Sequence, residues 1–258
     1  MLLSLEDISV VYPTRKGPTQ ALERLDLVVQ PSSFVSVLGP SGCGKSTLVK
    51  LVAGLLKPTT GRISFDGVGS TGARDDVGVA FQQAALLPWK SALENVLLPL
   101  RLKGQPSAAA RERADDLLDL VGLTGSRDSF PHELSGGMQQ RISLARSLVR
   151  DPSVLVMDEP FSALDAMTRE NMMMELQRVW LDKRPSVLFI THSIAEAVFL
   201  SDRVLVMSGR PGRVIMDRTV DLPRPRTLDT LASPQFAELC NELRNLFRPD
   251  SPMHASAA

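Results

Sequence analysis

Gly39-Pro40-Ser41-Gly42-Cys43-Gly44-Lys45-Ser46-Thr47 is the stretch that decides the fold. It matches G-x-x-x-x-G-K-[ST], and both flanks have the texture that pattern needs. Val35-Ser36-Val37-Leu38 before it reads as a short buried parallel strand. Lys45 to Ala53 after it reads as an apolar helix, stopped by Gly54 and Pro58. Glycines at 39, 42 and 44 permit a backbone whose successive N–H groups converge on phosphate oxygens, and the helix start adds partial positive charge. Lys45 is expected to reach the β- and γ-phosphates as a point charge, and the Ser46 hydroxyl to coordinate Mg²⁺. Pro40, Ser41, Cys43 and Thr47 complete the cradle; alkylating Cys43 is expected to block nucleotide binding, and bound nucleotide to protect it.

Further along, Val154-Leu155-Val156-Met157 reads as a buried strand that delivers Asp158 and Glu159 to a sheet edge, where ligands sit in open α/β sheets. Asp158 is the expected Mg²⁺ partner, and Glu159 the group that polarises an attacking water. His192 follows the strand Val187–Ile190, in reach of a terminal phosphate. Gln82 is placed at the end of the strand Val77–Phe81, where it reaches metal or water; Gln83 fits less well by alternation. A second glycine-bearing helix start lies in Leu134-Ser135-Gly136-Gly137-Met138-Gln139-Gln140-Arg141. Ser135 caps it while Gly136 and Gly137 leave N–H groups open to an anion.

The 258 residues carry 29 basic and 29 acidic side chains, so charge offers no argument for nucleic acid or an anionic membrane. Two cysteines form no disulfide framework, which points to a reducing compartment. The first residues have no signal-peptide pattern, and no apolar run is long enough to span a bilayer, so a membrane role would come through a partner. Strands are expected at residues 2–11, with regular alternation, and at 22–29, 62–66, 204–207 and 214–216. Residues 91–150 read as helical. Ser91 and Glu94 form a capping box, and Ser107 opens a helix with the stripe Ala110, Ala114, Leu117, Leu118 and Val121. Asp165 is the expected N-cap of a helix towards Trp180, Ser193 with Glu196 a second capping box, and Pro234–Phe247 a last helix. The end, Pro249 to Ala258, is expected to be disordered.

Together these motifs resemble the nucleotide-binding subunit of ATP-binding cassette (ABC) transporters, from about Leu3 to about Asp217, with Leu134–Arg141 the most specific. The resemblance implies an α/β fold: a P-loop NTPase (RecA-like) core with an N-terminal antiparallel β subdomain and an inserted α-helical subdomain at about 88–152. The cassette would span 1–220, followed by a tail at 221–258. It implies ATP and Mg²⁺ as ligands. By resemblance Tyr12 stacks on adenine, Gln82 couples the site to a membrane permease and also meets the metal, and His192 is the switch histidine. Ser135, Gly136 and Gly137 then contact the γ-phosphate held by the opposite subunit of a head-to-tail homodimer. Ser162-Ala163-Leu164-Asp165 crosses that interface. Two departures stand out: Ser32-Ser33 replaces the family's usual Gly-Glu, and Gln83 replaces a frequent acidic residue.

The apolar loop Ala84 to Lys90 then reads as a docking face for a permease helix. The Leu-Pro-Trp text and Pro223-Arg224-Pro225-Arg226 are similar to importers of the nitrate, sulfonate and taurine type. Such a subunit sits peripherally on the cytoplasmic face of the membrane and meets a solute-binding protein only indirectly. Two other classes stay open: ABC-type ATPases acting on DNA or ribosomes, and P-loop kinases of small metabolites. The first usually carries long coiled coils or paired cassettes, absent here; the second has no need of Ser135-Gly136-Gly137.

Overall fold

The computed structural model describes residues 2–15, 17–104, 106–162 and 164–248. The expected disorder of Pro249 to Ala258, and Ala163 of the interface segment, lie outside the described residues. In chain order the elements are β1 (Leu3–Thr14), β2 (Gly17–Val29), β3 (Phe34–Leu38), α1 (Lys45–Val52), β4 (Thr60–Phe65), β5 (Val68–Gly69) and β6 (Val77–Ala80). They continue with α2 (Ala92–Val96), α3 (Leu98–Arg101), α4 (Ala108–Leu120), α5 (Gly136–Leu148), β7 (Val154–Asp158), α6 (Ala166–Lys183) and β8 (Ser186–Thr191). The last are α7 (Ile194–Leu200), β9 (Arg203–Met207), β10 (Val214–Thr219), α8 (Leu228–Leu231) and α9 (Pro234–Leu246).

The chain divides into two compact units, residues 1–74 with 186–258, and residues 75–185. In the first, an antiparallel sheet runs β2-β1-β4-β5. A second sheet orders its strands β10-β9-β3-β8, with β3 parallel to both β8 and β9 and β10 antiparallel to β9. Phe34–Leu38 and Ser186–Thr191 are buried at every position, as a strand covered on both faces must be.

Alternation in β1 fails for a local reason. Asp7 takes φ 50° and the register slips between Leu5 and Ile8, so Leu3, Ser4 and Leu5 are buried in succession before Ile8 and Val10 resume the core face. The neighbouring strand answers this bulge with a glycine: a Cβ on Gly61 (φ 90°) would stand 2.4 Å from the Asp7 carbonyl oxygen. β2 begins at Gly17 rather than Leu22, because its first residues pair with the far end of β1. Ser32, where the family usually has glycine, also has positive φ (54°), and its N–H donates to Ser186 Oγ at 2.9 Å.

In the second unit, β6 and β7 pair in parallel, and α2, α4 and α5 pack on one another. The Ser91–Glu94 capping box forms in both directions, at 3.3 and 3.2 Å. Ser107 caps α4, whose Ala114, Leu117 and Leu118 are buried while Ala110 is half-buried. Asp165 caps α6, which runs on to Lys183 and buries Met172, Met173 and Trp180. In the first unit α9 packs on α7 through buried Phe236, Cys240 and Leu243. Among the described residues no helix is long and apolar enough to cross a membrane.

Gly61→Ala is expected to destabilise the protein by about 2–4 kcal/mol, since both its dihedral and its space exclude a side chain. Urea unfolding of the two proteins measures the difference; an unchanged midpoint would refute the matched bulge.

Candidate functional site

The sequence candidates fall into two sets, one in each unit. In the first, β3 ends at Leu38 and the chain turns through Gly39–Gly44 into α1. The turn is seated by contacts that leave no room for side chains. A Cβ on Gly39 would meet Cys43 Sγ at 2.7 Å, and one on Gly44 (φ 104°) would meet Leu22 Cδ2 at 2.6 Å and the Ala21 oxygen at 2.9 Å. From the other side, Gly212 approaches so closely that its Cβ would lie 2.0 Å from the Cys43 carbonyl oxygen. Gly212 is itself locked to β2, donating to the Ala21 oxygen at 2.9 Å and accepting from Glu23 N–H at 3.0 Å. Packing therefore holds Gly39, Cys43, Lys45 and Thr47 inside, while Pro40, Ser41, Gly42 and Ser46 face outward.

Lys45 is only 6% exposed, and its ammonium donates to the Gly39 and Pro40 carbonyls at 2.8 and 3.0 Å. The loop thus holds a cation at its centre, under an exposed rim of backbone. That arrangement fits a polyphosphate. Tyr12, half-buried on β1, has its hydroxyl 3.3 Å from Thr47 Oγ1. His192 is exposed immediately after β8. The expected Ser193–Glu196 box is rerouted. Glu196 N–H donates to Ser193 Oγ, but Ser193 N–H donates to Thr191 Oγ1 at 3.0 Å, and that hydroxyl donates to the buried Glu196 carboxylate at 2.5 Å. The knot spans the residues on both sides of His192.

In the second unit, Asp158 closes β7 and Glu159 begins the following turn in the left-handed region, φ 45°. Both are half-buried. The Glu159 oxygen accepts from Ser162 N–H at 3.2 Å, and the Ser162 hydroxyl accepts from Gln82 Nε2 at 3.2 Å. Gln82 is not at the end of a strand. β6 stops at Ala80, and the chain from Phe81 leaves the ladder for an exposed loop. Ser135 caps α5 by accepting from Met138 N–H at 3.3 Å. Gly136 is exposed with open space where a Cβ would be, whereas Gly137 is buried against Thr168. Asp165 uses both oxygens to cap α6, accepting from Thr168 N–H at 3.0 Å and its hydroxyl at 2.6 Å, contacts that hold its pKa below the usual carboxylate value. Among the described residues no group of three His, Cys, Asp or Glu side chains is placed to hold a metal.

Several organising residues went unassigned in the sequence. Gln140 donates to the Phe81 and Gln82 carbonyls at 3.4 and 3.1 Å, and the Arg146 fork to those of Ala84 and Ala85 at 2.6 and 2.9 Å. Burial lowers the Arg146 pKa. Ala85 sits at φ 45° under that fork. Asn95, fully buried, accepts from Leu87 N–H and donates to the carbonyls of Leu87, Lys90 and Ser91. The apolar loop is therefore held at several backbone points, with Trp89 67% and Phe81 40% exposed. Gln140 falls within the Leu134–Arg141 motif, and Arg146 lies further along the same helix α5.

The ABC transporter family matches residues 22–162, more than half of the chain. The chain belongs to the ABC transporter family. It is one of that family's ATPases. A taurine import ATP-binding protein of Rhizobium johnstonii is 45% identical over 99% of this chain and all of that protein. A bicarbonate transport ATP-binding protein of Synechocystis is 45% identical over 93% of this chain and 86% of that protein. Among solved structures, the ATP-binding cassette MJ0796, dimeric and bound to ADP and phosphate, is similar with a TM-score of 0.75 and 32% identity, covering 86% of this chain and all of that one. These relatives bear out the α/β P-loop NTPase fold with its antiparallel sheet.

Two measurements test the local chemistry. Cys43 is 1% exposed and Cys240 6%, and burial raises the Cys240 thiol pKa, so a thiol reagent is expected to label neither in the native protein and both in denaturant. Fast native labelling of Cys43 would contradict the packed cradle, and reagent access is what the alkylation expected from sequence runs into. Lys90 and Arg101 hold the Glu94 pKa down at about 2. A carboxylate depressed in the fold contributes stability above its unfolded pKa, and that contribution is lost as pH falls towards the folded value. Glu94→Gln is therefore expected to cost about 0.5–1 kcal/mol near pH 7 for this third-exposed group, and progressively less as pH drops from about 5 towards 2. A pH series of unfolding midpoints reads this directly.

Proposed function

We propose that this chain is the ATP-hydrolysing subunit of an importer, powering uptake of a small solute of the nitrate, sulfonate or taurine kind through a separate membrane permease. The observation that carries the reading is an asymmetry within one chain. It has one lysine-bearing loop, at Gly39–Thr47, and a second helix start at Ser135–Gly137, with Gly136 exposed, that has no lysine. Two copies closing head-to-tail use both, each offering its Ser135, Gly136 and Gly137 to the γ-phosphate on the other. The relatives that import taurine or bicarbonate support the solute class.

Each residue then has a task. Lys45 exchanges its loop carbonyls for phosphate oxygens. Tyr12, whose hydroxyl is engaged at Thr47, offers its ring to the adenine. Hard oxygen donors at Ser46, Gln82 and Asp158 suit Mg²⁺, which when bound neutralises developing phosphate charge. Glu159 orients and polarises the attacking water, and His192 holds the γ-phosphate. Asp165 crosses the dimer interface. The loop around Trp89, within a helical insertion at about 88–152, receives the permease: a held loop docks at lower entropic cost than a mobile one. A solute-binding protein outside the membrane selects the solute, and the cassette works at the cytoplasmic face.

Glu159→Gln is expected to keep ATP affinity, lower turnover by about a hundredfold or more and accumulate as an ATP-bound dimer, while Lys45→Ala weakens nucleotide binding by at least about tenfold. Light scattering with ATP and Mg²⁺, beside a phosphate-release assay, reads both. A Glu159→Gln protein that stays monomeric and turns over normally would sink the composite-site reading.

A further inference from the structure

Pro223-Arg224-Pro225-Arg226 has no part in the chemistry above, yet it contains one of the most deeply buried charges of the protein. Arg226 is 1% exposed. Its Nη1 donates to the carbonyls of Val198, Phe199 and Ser201, each at 2.8 Å, and its Nη2 to that of Leu222 at 3.2 Å. Val198 and Phe199 belong to the last turn of α7, and Ser201 is the residue that ends it. The last carbonyls of a helix have no partner within it, and α7 ends in the core, away from water. A guanidinium is suited to this place: its planar fork reaches several carbonyls at once, and its charge meets the negative end of the helix. Burial and the neighbouring Arg224 push the Arg226 pKa down to about 10, so the group stays charged at neutral pH.

Arg224 extends the clamp. It donates to the Leu200 carbonyl and, through Nε and Nη2, to Asp202 Oδ1 at 3.1 and 2.9 Å. The other oxygen of Asp202 accepts from Phe34 N–H at 2.9 Å, where β3 begins. One end of β3 is thereby tied to the C-terminal end of α7. The other end of β3 runs into the phosphate loop, and the N-terminal end of α7 is tied to the Thr191–Ser193–Glu196 knot around His192. α7 has seven residues, about 10 Å of helix, short enough to move as one piece.

We infer that Arg226, assisted by Arg224, is a positioning residue for His192. It anchors α7 by its last carbonyls, and α7 carries the knot that holds the backbone at position 192. The effect on catalysis rests on the reading of His192 as the group that holds the γ-phosphate; the effect on the His192 environment does not.

The test uses the full chain, Arg226→Lys and Arg226→Met, each alone and combined with His192→Ala. The protein has three histidines, so imidazole signals from histidine-labelled protein are few enough to assign. In Arg226→Lys, which keeps charge but loses the fork, the His192 signals are expected to shift while those of His132 stay in place. The kcat for ATP falls about tenfold with KM changed by no more than about twofold. Arg226→Met shows the larger loss and Arg226→Lys the partial rescue; should the methionine variant not fold, the lysine variant and Arg224→Gln carry the same measurements. On a His192→Ala background the arginine substitutions change kcat by no more than about twofold. Unmoved His192 signals in a folded variant, or an equal fall in kcat with and without His192, overturn the proposal. If His192→Ala alone keeps wild-type kcat, the reading of His192 fails, while its signals in the arginine variants still decide whether the clamp positions it.

Discussion

Backbone packed directly against backbone is the constraint on which the glycine-rich loop Gly39–Gly44 rests. Gly212 stands so near the Cys43 carbonyl that no side chain fits between them, and Gly44 likewise has no room for a side chain against Ala21 and Leu22. With the underside of the loop closed in this way, its outer rim faces solvent and the Lys45 ammonium is buried beneath it. An ammonium surrounded by its own loop carbonyls is satisfied without ligand yet remains available to a stronger acceptor. Phosphate oxygens share net negative charge, so an ammonium–phosphate contact adds an ion-pair attraction that a neutral carbonyl does not offer. On the proposed reading, the resting contacts preserve the site while leaving the ammonium available to a nucleotide.

The second unit applies the same logic with side chains. α5 begins at the Ser135 cap and, along its length, projects Gln140 and Arg146 onto the carbonyls of residues 81–85. One rigid element thus joins the glycine-bearing helix start to the loop that exposes Trp89. Buried Asn95 contributes by satisfying the loop backbone from inside, which lets an irregular segment keep one shape.

How much of this was legible in the chain follows from the range of the interactions. The Ser91–Glu94 box, the Ser107 and Asp165 caps and the strand–loop–helix around Lys45 are set by residues within a few positions of one another, and all appear where the pattern put them. The second box, Ser193 with Glu196, is half right, because the neighbouring Thr191 hydroxyl takes the carboxylate in place of the Ser193 N–H. Gln82 falls beyond the strand expected to end with it, since apolar Phe81 continues the sequence pattern although the ladder has already ended. The Asp7 bulge in β1 was invisible because its other half, Gly61, lies more than fifty residues away.

By itself, then, the sequence determined the family, the glycine-rich strand–loop–helix, the capped helices and the kinds of group available for chemistry. Those depend on residue type and short spacing. Tertiary structure alone decided which glycines are indispensable, where Gln82 and Glu159 stand, and that a tail arginine caps a helix more than twenty residues earlier. Such facts concern the space between distant segments. A buried carbonyl that lacks a partner leaves no mark on its own neighbours in the chain, and the donor that satisfies it is identified only once the segments are packed together.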